Sequence, residues 1–133
     1  MQAARFAQSY KSVAINTAPP AHLVLMLFDG ALRFMATASA GFGEANIAKR
    51  FETIHNNLIK TQNILRELQV SLDRKAGGEF AERMFALYDF MIAQLMQANL
   101  KKDAEPIRVV EDLLGQIRDA WAQMLETSAS AAA

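Results

Sequence analysis

Between residues 47 and 72 the positions Ile47, Phe51, Ile54, Leu58, Thr61, Leu65, Leu68 and Leu72 follow one another at intervals of 4, 3, 4, 3, 4, 3 and 4. That spacing is a heptad seam with one polar interruption. It keeps one face of an α-helix apolar over about seven turns, and a strand, whose side chains alternate, cannot use it. A helix of this kind must lay its seam against other helices.

Three further stretches share the helical period. Residues 20–40 place Leu23, Met26, Leu27, Gly30, Ala31, Phe34 and Ala38 on one face. Residues 79–100 do so with Phe80, Met84, Leu87, Met91 and Ala98. Residues 103–126 do so with Ile107, Val110, Leu114, Ile117, Trp121 and Met124. Breakers separate them: Thr17 with Pro19-Pro20, then Gly41-Phe42-Gly43, then Gly77-Gly78 behind Arg74-Lys75-Ala76, then Asp103 and Pro106. No segment alternates with period two. Four helices with short connections pack most simply as an all-α, antiparallel up-down four-helix bundle. The bundle is expected over residues 19–126, preceded by an N-terminal arm at 1–18. A low-complexity tail at 127–133 is expected to be disordered. Gly30 and Gly115 lie inside helical stripes, where a glycine costs about 1 kcal/mol, so close helix packing is expected at each.

The 133 residues are 52% hydrophobic, enough for one core. Fourteen basic residues balance fourteen acidic ones, which argues against a nucleic-acid partner. The absence of cysteine excludes disulfides, thiolate zinc sites and cysteine nucleophiles. No apolar run is read as reaching the roughly 20 residues of a bilayer span, and the N-terminus lacks a signal-peptide core. The expectation is a cytoplasmic protein with no stable membrane insertion.

Chemistry finds no complete site. A di-iron bundle needs two Glu-x-x-His pairs and two further glutamates. Glu52 and His55 supply one pair, and His22, the other histidine, has Pro19 three residues before it. Ser9, Ser12, Ser39 and Ser71 stand in no nucleophile motif, and no phosphate loop or dinucleotide fingerprint occurs. Gly41-Phe42-Gly43 is a plain connection. Asp29 and Arg33 are spaced to pair along one helix, in a surface or interhelical ion pair. No metal, no cofactor and no enzymatic activity are expected.

The helices carry more apolar side chains than one seam each requires. Ile59 and Ile64 lie off the second seam. Phe85, Tyr88, Phe90, Ile92 and Leu95 lie off the third, and Val109, Leu113 and Ala120 off the fourth. Part of this surplus is a wide core face or a dimer contact. The rest reads as a groove for a partner's amphipathic helix. The seven methionines suit such an adaptable surface. The arm carries Phe6, Tyr10, Val13 and Ile15 and no acidic group, as a displaceable latch over the groove would. The candidate partner contacts are Tyr10, Ile15, Ile59, Ile64, Val109, Leu113, Ala120 and, from the end of the fourth stripe, Met124.

An ordered set of residues spans about 10 to 125. It runs from Tyr10 and Val13 through Thr17-Ala18-Pro19-Pro20-Ala21-His22-Leu23-Val24 to Met26-Leu27-Phe28-Asp29-Gly30-Ala31-Leu32-Arg33-Phe34. It continues with Ile64-Leu65-Arg66-Glu67-Leu68, Leu72-Asp73, Gly77-Gly78-Glu79, Leu87-Tyr88-Asp89-Phe90-Met91, Ala98-Asn99 and Leu113-Leu114 leading to Trp121. This set resembles the flagellin export chaperones (FliS). Phe28 stands where the family usually has Tyr. Pro106 and the polar run His55-Asn56-Asn57 also depart from its pattern. The resemblance implies a cytoplasmic helical-bundle chaperone that binds the C-terminal segment of flagellin and blocks its premature polymerisation. It also implies delivery of that subunit to the flagellar export gate, and an N-terminal segment that occupies part of the binding surface when flagellin is absent. The alternatives are a bundle that self-associates through the same surface, and a chaperone with another flagellar client.

Overall fold

The structure, a computed structural model, describes residues 20–132. It contains α1 (Ala21–Gly41), α2 (Ile47–Val70), α3 (Gly78–Lys101) and α4 (Glu105–Ala132), with no strand among the described residues. Helix α1 packs on α2 and α4, and α3 packs on the same two, so the helices stand at the corners of a square. Contacts between neighbours show the directions. Trp121 Nε1 donates to the Ala21 carbonyl at 2.7 Å, and Arg118 Nε donates to Asp29 Oδ1 at 2.7 Å, so α4 descends as α1 ascends. His55 meets Asn99, and Gln69 meets Phe85 and Asp89, so α2 and α3 are also antiparallel. This is the expected all-α up-down bundle. The arm at 1–18, with Tyr10 and Ile15, lies outside the described residues.

Local chemistry sets the ends. Asn46 caps α2 by accepting the Lys49 N–H at 2.9 Å, which starts that helix at Ile47, the first residue of the apolar seam. Asp73 Oδ1 accepts the Ala76 N–H and tightens the turn into α3. Helix α3 stops at Lys102, whose backbone is left-handed (φ 51°, ψ 52°), and the Asp103 N–H returns to the Ala98 carbonyl. Asp103 Oδ1 then accepts the Glu105 N–H at the start of α4. Helix α4 runs on to Ala132, through residues expected to form a tail; alanine is the strongest helix former.

The core tests each seam. Ile54, Leu58, Thr61, Leu65 and Leu68 of α2, and Leu72 just beyond its end, are buried as expected, and Thr61 satisfies its hydroxyl on the Asn57 carbonyl. Ile47 and Phe51, the first two seam positions, are 60% and 44% exposed. A Cβ on Gly41, the last residue of α1, would meet Thr53 and Ile54, and Asn99 near the end of α3 meets His55. The first two turns of α2 therefore project past the ends of both neighbours. In α1 the phase differs by one residue: Val24, Phe28, Ala31, Met35 and Ala38 are buried, whereas Leu23 and Met26 are exposed. A helix apolar on nearly every side carries no phase in its pattern. The phase is set by Trp121, whose ring packs perpendicular to that of Phe28 at 6.5 Å between centroids. All six stripe residues of α4 are buried. Tyr88, Ile92 and Leu95 of α3, read as surplus, are core side chains.

Three expectations are corrected. Asp29 does form an interhelical ion pair, but its partner is Arg118 of α4 and not Arg33 of its own helix. Helix α1 is, by length and composition alone, apolar enough to cross a membrane; in this structure one of its faces fills the bundle core. The close approach at a glycine is at Gly41, where a Cβ would lie 2.9 Å from Thr53 Cγ2. At Gly30 the contacts would be ordinary, and at Gly115 nothing lies within 4 Å. Gly115→Ala is accordingly expected to raise stability by up to about 1 kcal/mol. Gly41→Ala should lower it by about 1–3 kcal/mol, and urea denaturation of the two variants checks both signs.

Candidate functional site

A groove of about 550 Å³ runs along the outside of the bundle between α2 and α3. Its α2 wall is His55, Ile59 and Gln62; its α3 wall is Met96, Gln97, Asn99 and Leu100, closed at one end by Lys102. The helical period explains the walls. His55, Ile59 and Gln62 are successive one-turn neighbours on α2, as are Met96 and Leu100 on α3. Gln62 is buried at the floor of the groove, whereas His55, Ile59, Met96 and Leu100 flank the buried seams and stay outside the core. Ile59, Met96 and Leu100 are 36%, 52% and 81% exposed, so the groove presents apolar side chains that the fold leaves open.

One end of the groove is polar. Lys102 Nζ donates to Asn99 Oδ1, and the Asn99 amide is then turned so that its nitrogen meets His55 Nδ1 at 2.8 Å. In this arrangement Asn99 donates and His55 accepts, which places the imidazole proton on Nε2. The projecting Phe51 covers the same end. Lys102 Nζ lies 5.5 Å and the Arg50 guanidinium carbon 5.8 Å from its ring centre. Burial draws the Lys102 ammonium below the ordinary lysine range. No cluster of three metal-ligating side chains occurs among the described residues.

The structure distributes the sequence-derived candidates unevenly. Ile59 stands in the groove. Ile64 does not share its face: it is half-buried and lies near Gly30 of α1. Val109 and Leu113 are one turn apart on α4, exposed and half-buried respectively. Ala120 and Met124 continue that line of α4 but are buried, so they are core side chains and not open surface. Tyr10 and Ile15 lie outside the described residues. Sequence reasoning missed Met96, Leu100, Phe51, Asn99 and Lys102. The four-residue spacing of Met96 and Leu100, off the α3 seam, was the available signal for two of them.

A family model described as "Flagellar protein FliS" matches residues 2–128. The chain is 37% identical over 119 residues to a protein of Bacillus subtilis named a flagellar secretion chaperone, FliS, covering 90% of this chain and 85% of that one. It is 38% identical over 120 residues to the protein of that name in Salmonella typhimurium, covering 90% and 86%. To that in Escherichia coli it is 35% identical over 130 residues, covering 94% and 93%.

The burial pattern predicts opposite outcomes for two substitutions. Ile59→Asp places its charge at an exposed rim and should change stability by no more than about 1 kcal/mol. Met124→Asp buries a charge in the core and should cost more than about 3 kcal/mol. Circular dichroism followed through thermal melting distinguishes them.

Proposed function

The chain belongs to the FliS family of flagellar secretion chaperones, and from that premise we propose that it binds the C-terminal segment of newly made flagellin in the cytoplasm. Binding holds the segment apart from other subunits, prevents premature polymerisation, and lasts until the subunit reaches the flagellar export gate. The observation that carries this reading is the open apolar groove between α2 and α3. A disordered, amphipathic client segment gains its order by burying one face in such a groove, and the task requires no catalytic group. Val109 and Leu113 of α4 offer a second apolar edge to a segment long enough to wrap the bundle. The arm at 1–18, carrying Tyr10 and Ile15, acts as a latch that leaves when the client arrives.

Titration calorimetry with the C-terminal segment of flagellin from the same genome tests the proposal. One-to-one binding with a strongly negative heat-capacity change is expected. Absence of heat and of co-elution at micromolar concentration overturns the client assignment. Ile59→Asp and Val109→Asp should each weaken binding by roughly tenfold or more while the helical spectrum is retained. Deleting residues 1–16 should leave the bundle folded and the affinity undiminished. A large loss of affinity would make the arm a contact rather than a latch.

A further inference from the structure

We propose that the Lys102 end of the groove is a specificity element that reads a carboxylate side chain, Asp or Glu, on the bound client helix. The inference rests on the client-binding reading of the groove and adds which chemistry of the client that site selects.

Four observations converge on Lys102. It is a lysine in the left-handed backbone region, where glycine or asparagine is favoured and other residues are strained. It lines the groove and is partly withdrawn from water, which lowers its affinity for a proton. It has no carboxylate partner among the described residues. The acids that follow it are engaged elsewhere: Asp103 accepts the Glu105 N–H, and Glu105 pairs with Arg108 at 3.2 Å. Its side chain is nonetheless held in place. Asn99 accepts one of its three N–H donors and is itself oriented by His55, while the Phe51 ring lies against the ammonium. Two donors remain for an incoming anion.

A second cation, Arg50, stands against the same Phe51 ring from α2 and likewise has no ion pair among the described residues. Two unpaired cations around one exposed ring, at the end of an apolar trough, complement an occupant with apolar anchors followed by a negative group. The separation follows from helix geometry. Ile59 and Phe51 are eight residues apart on α2, about 12 Å along its axis. The acidic residue of the occupant therefore lies about two helical turns from the apolar anchor that meets Ile59. A carboxylate arriving there replaces water that Lys102 has already partly lost. Such a charge-assisted bond discriminates more strongly than an exposed pair.

The left-handed backbone supplies a clean test. Lys102→Gly relieves the local strain, so the bundle should melt no earlier than the native protein; Lys102→Asn is a second variant compatible with the same backbone. Calorimetry of the full chain with the flagellin C-terminal segment should show affinity reduced about tenfold for either variant at low salt, with a flatter salt dependence. Replacing the segment's acidic residues in turn by Asn or Gln should reproduce that loss at one position, and Lys102→Gly should then add nothing further. Lys75→Ala, which removes one exposed charge outside the groove, should bind as the native chain does. Unchanged affinity and salt dependence in Lys102→Gly, with native binding intact, overturns the carboxylate reading alone. An equal loss in Lys75→Ala, or a loss reproduced only by amidating the segment's C-terminus, also overturns it, in favour of net charge or of the chain end. No binding of the segment to the native chain removes the client reading and this proposal together.

Discussion

The bundle depends on the contact between its first and last helices. Short connections keep consecutive helices together, but nothing covalent holds α1 against α4. That corner is closed by the Trp121 indole N–H on the Ala21 carbonyl, by the Phe28 and Trp121 rings packed at right angles, and by the Asp29–Arg118 ion pair about two turns along α1. The indole bond reaches a backbone atom in the first turn of α1, so it sets the height at which that helix enters. The ring contact sets its rotation. The ion pair is about one-third exposed on each side and adds direction more than stability. Phe28 is fully buried here, and a ring without a hydroxyl suits a site closed by a second aromatic ring.

Once α1 is fixed, the heights of the other helices follow. Gly41 brings the end of α1 against Thr53 and Ile54, and His55 pairs with Asn99 near the end of α3. The start of α2 is left beyond both neighbours. Two residues that continue the α2 seam, Ile47 and Phe51, consequently lie outside the core, and Phe51 instead becomes the cover at the polar end of the groove. The same helix thus supplies the bundle with its longest seam and the groove with part of its wall. A secretion chaperone needs apolar surface that its own core does not consume, and the overhanging helix leaves Ile47 and Phe51 exposed.

The candidate site was only partly legible from the residues. Ile59 could be found because the α2 seam is unambiguous and Ile59 stands beside it. Met96 and Leu100 were hidden among the many apolar residues of α3, where Tyr88, Ile92 and Leu95 belong to the core and look no different in sequence. Ala120 and Met124 were misplaced in the opposite sense: the last turns of α4 bury a wider face than one stripe. Lys102 carries no pattern. Its role depends on a left-handed backbone and on Asn99 and His55, which are 44 residues apart in the chain.

The sequence by itself determined four helices, their order, their breaks and the chaperone family. Helical period, turn residues and an ordered set of side chains are local properties, and short connections leave little freedom in topology. Tertiary structure alone decided the rotation of α1, the partner of Asp29, the glycine at which helices approach and the side chains that the groove exposes. Each of these depends on the height and rotation of one helix against another. A shift of one residue turns a helix by about 100° and exchanges core for surface. Only the mutual packing of all four helices, closed by Trp121 on Ala21, selects one such arrangement.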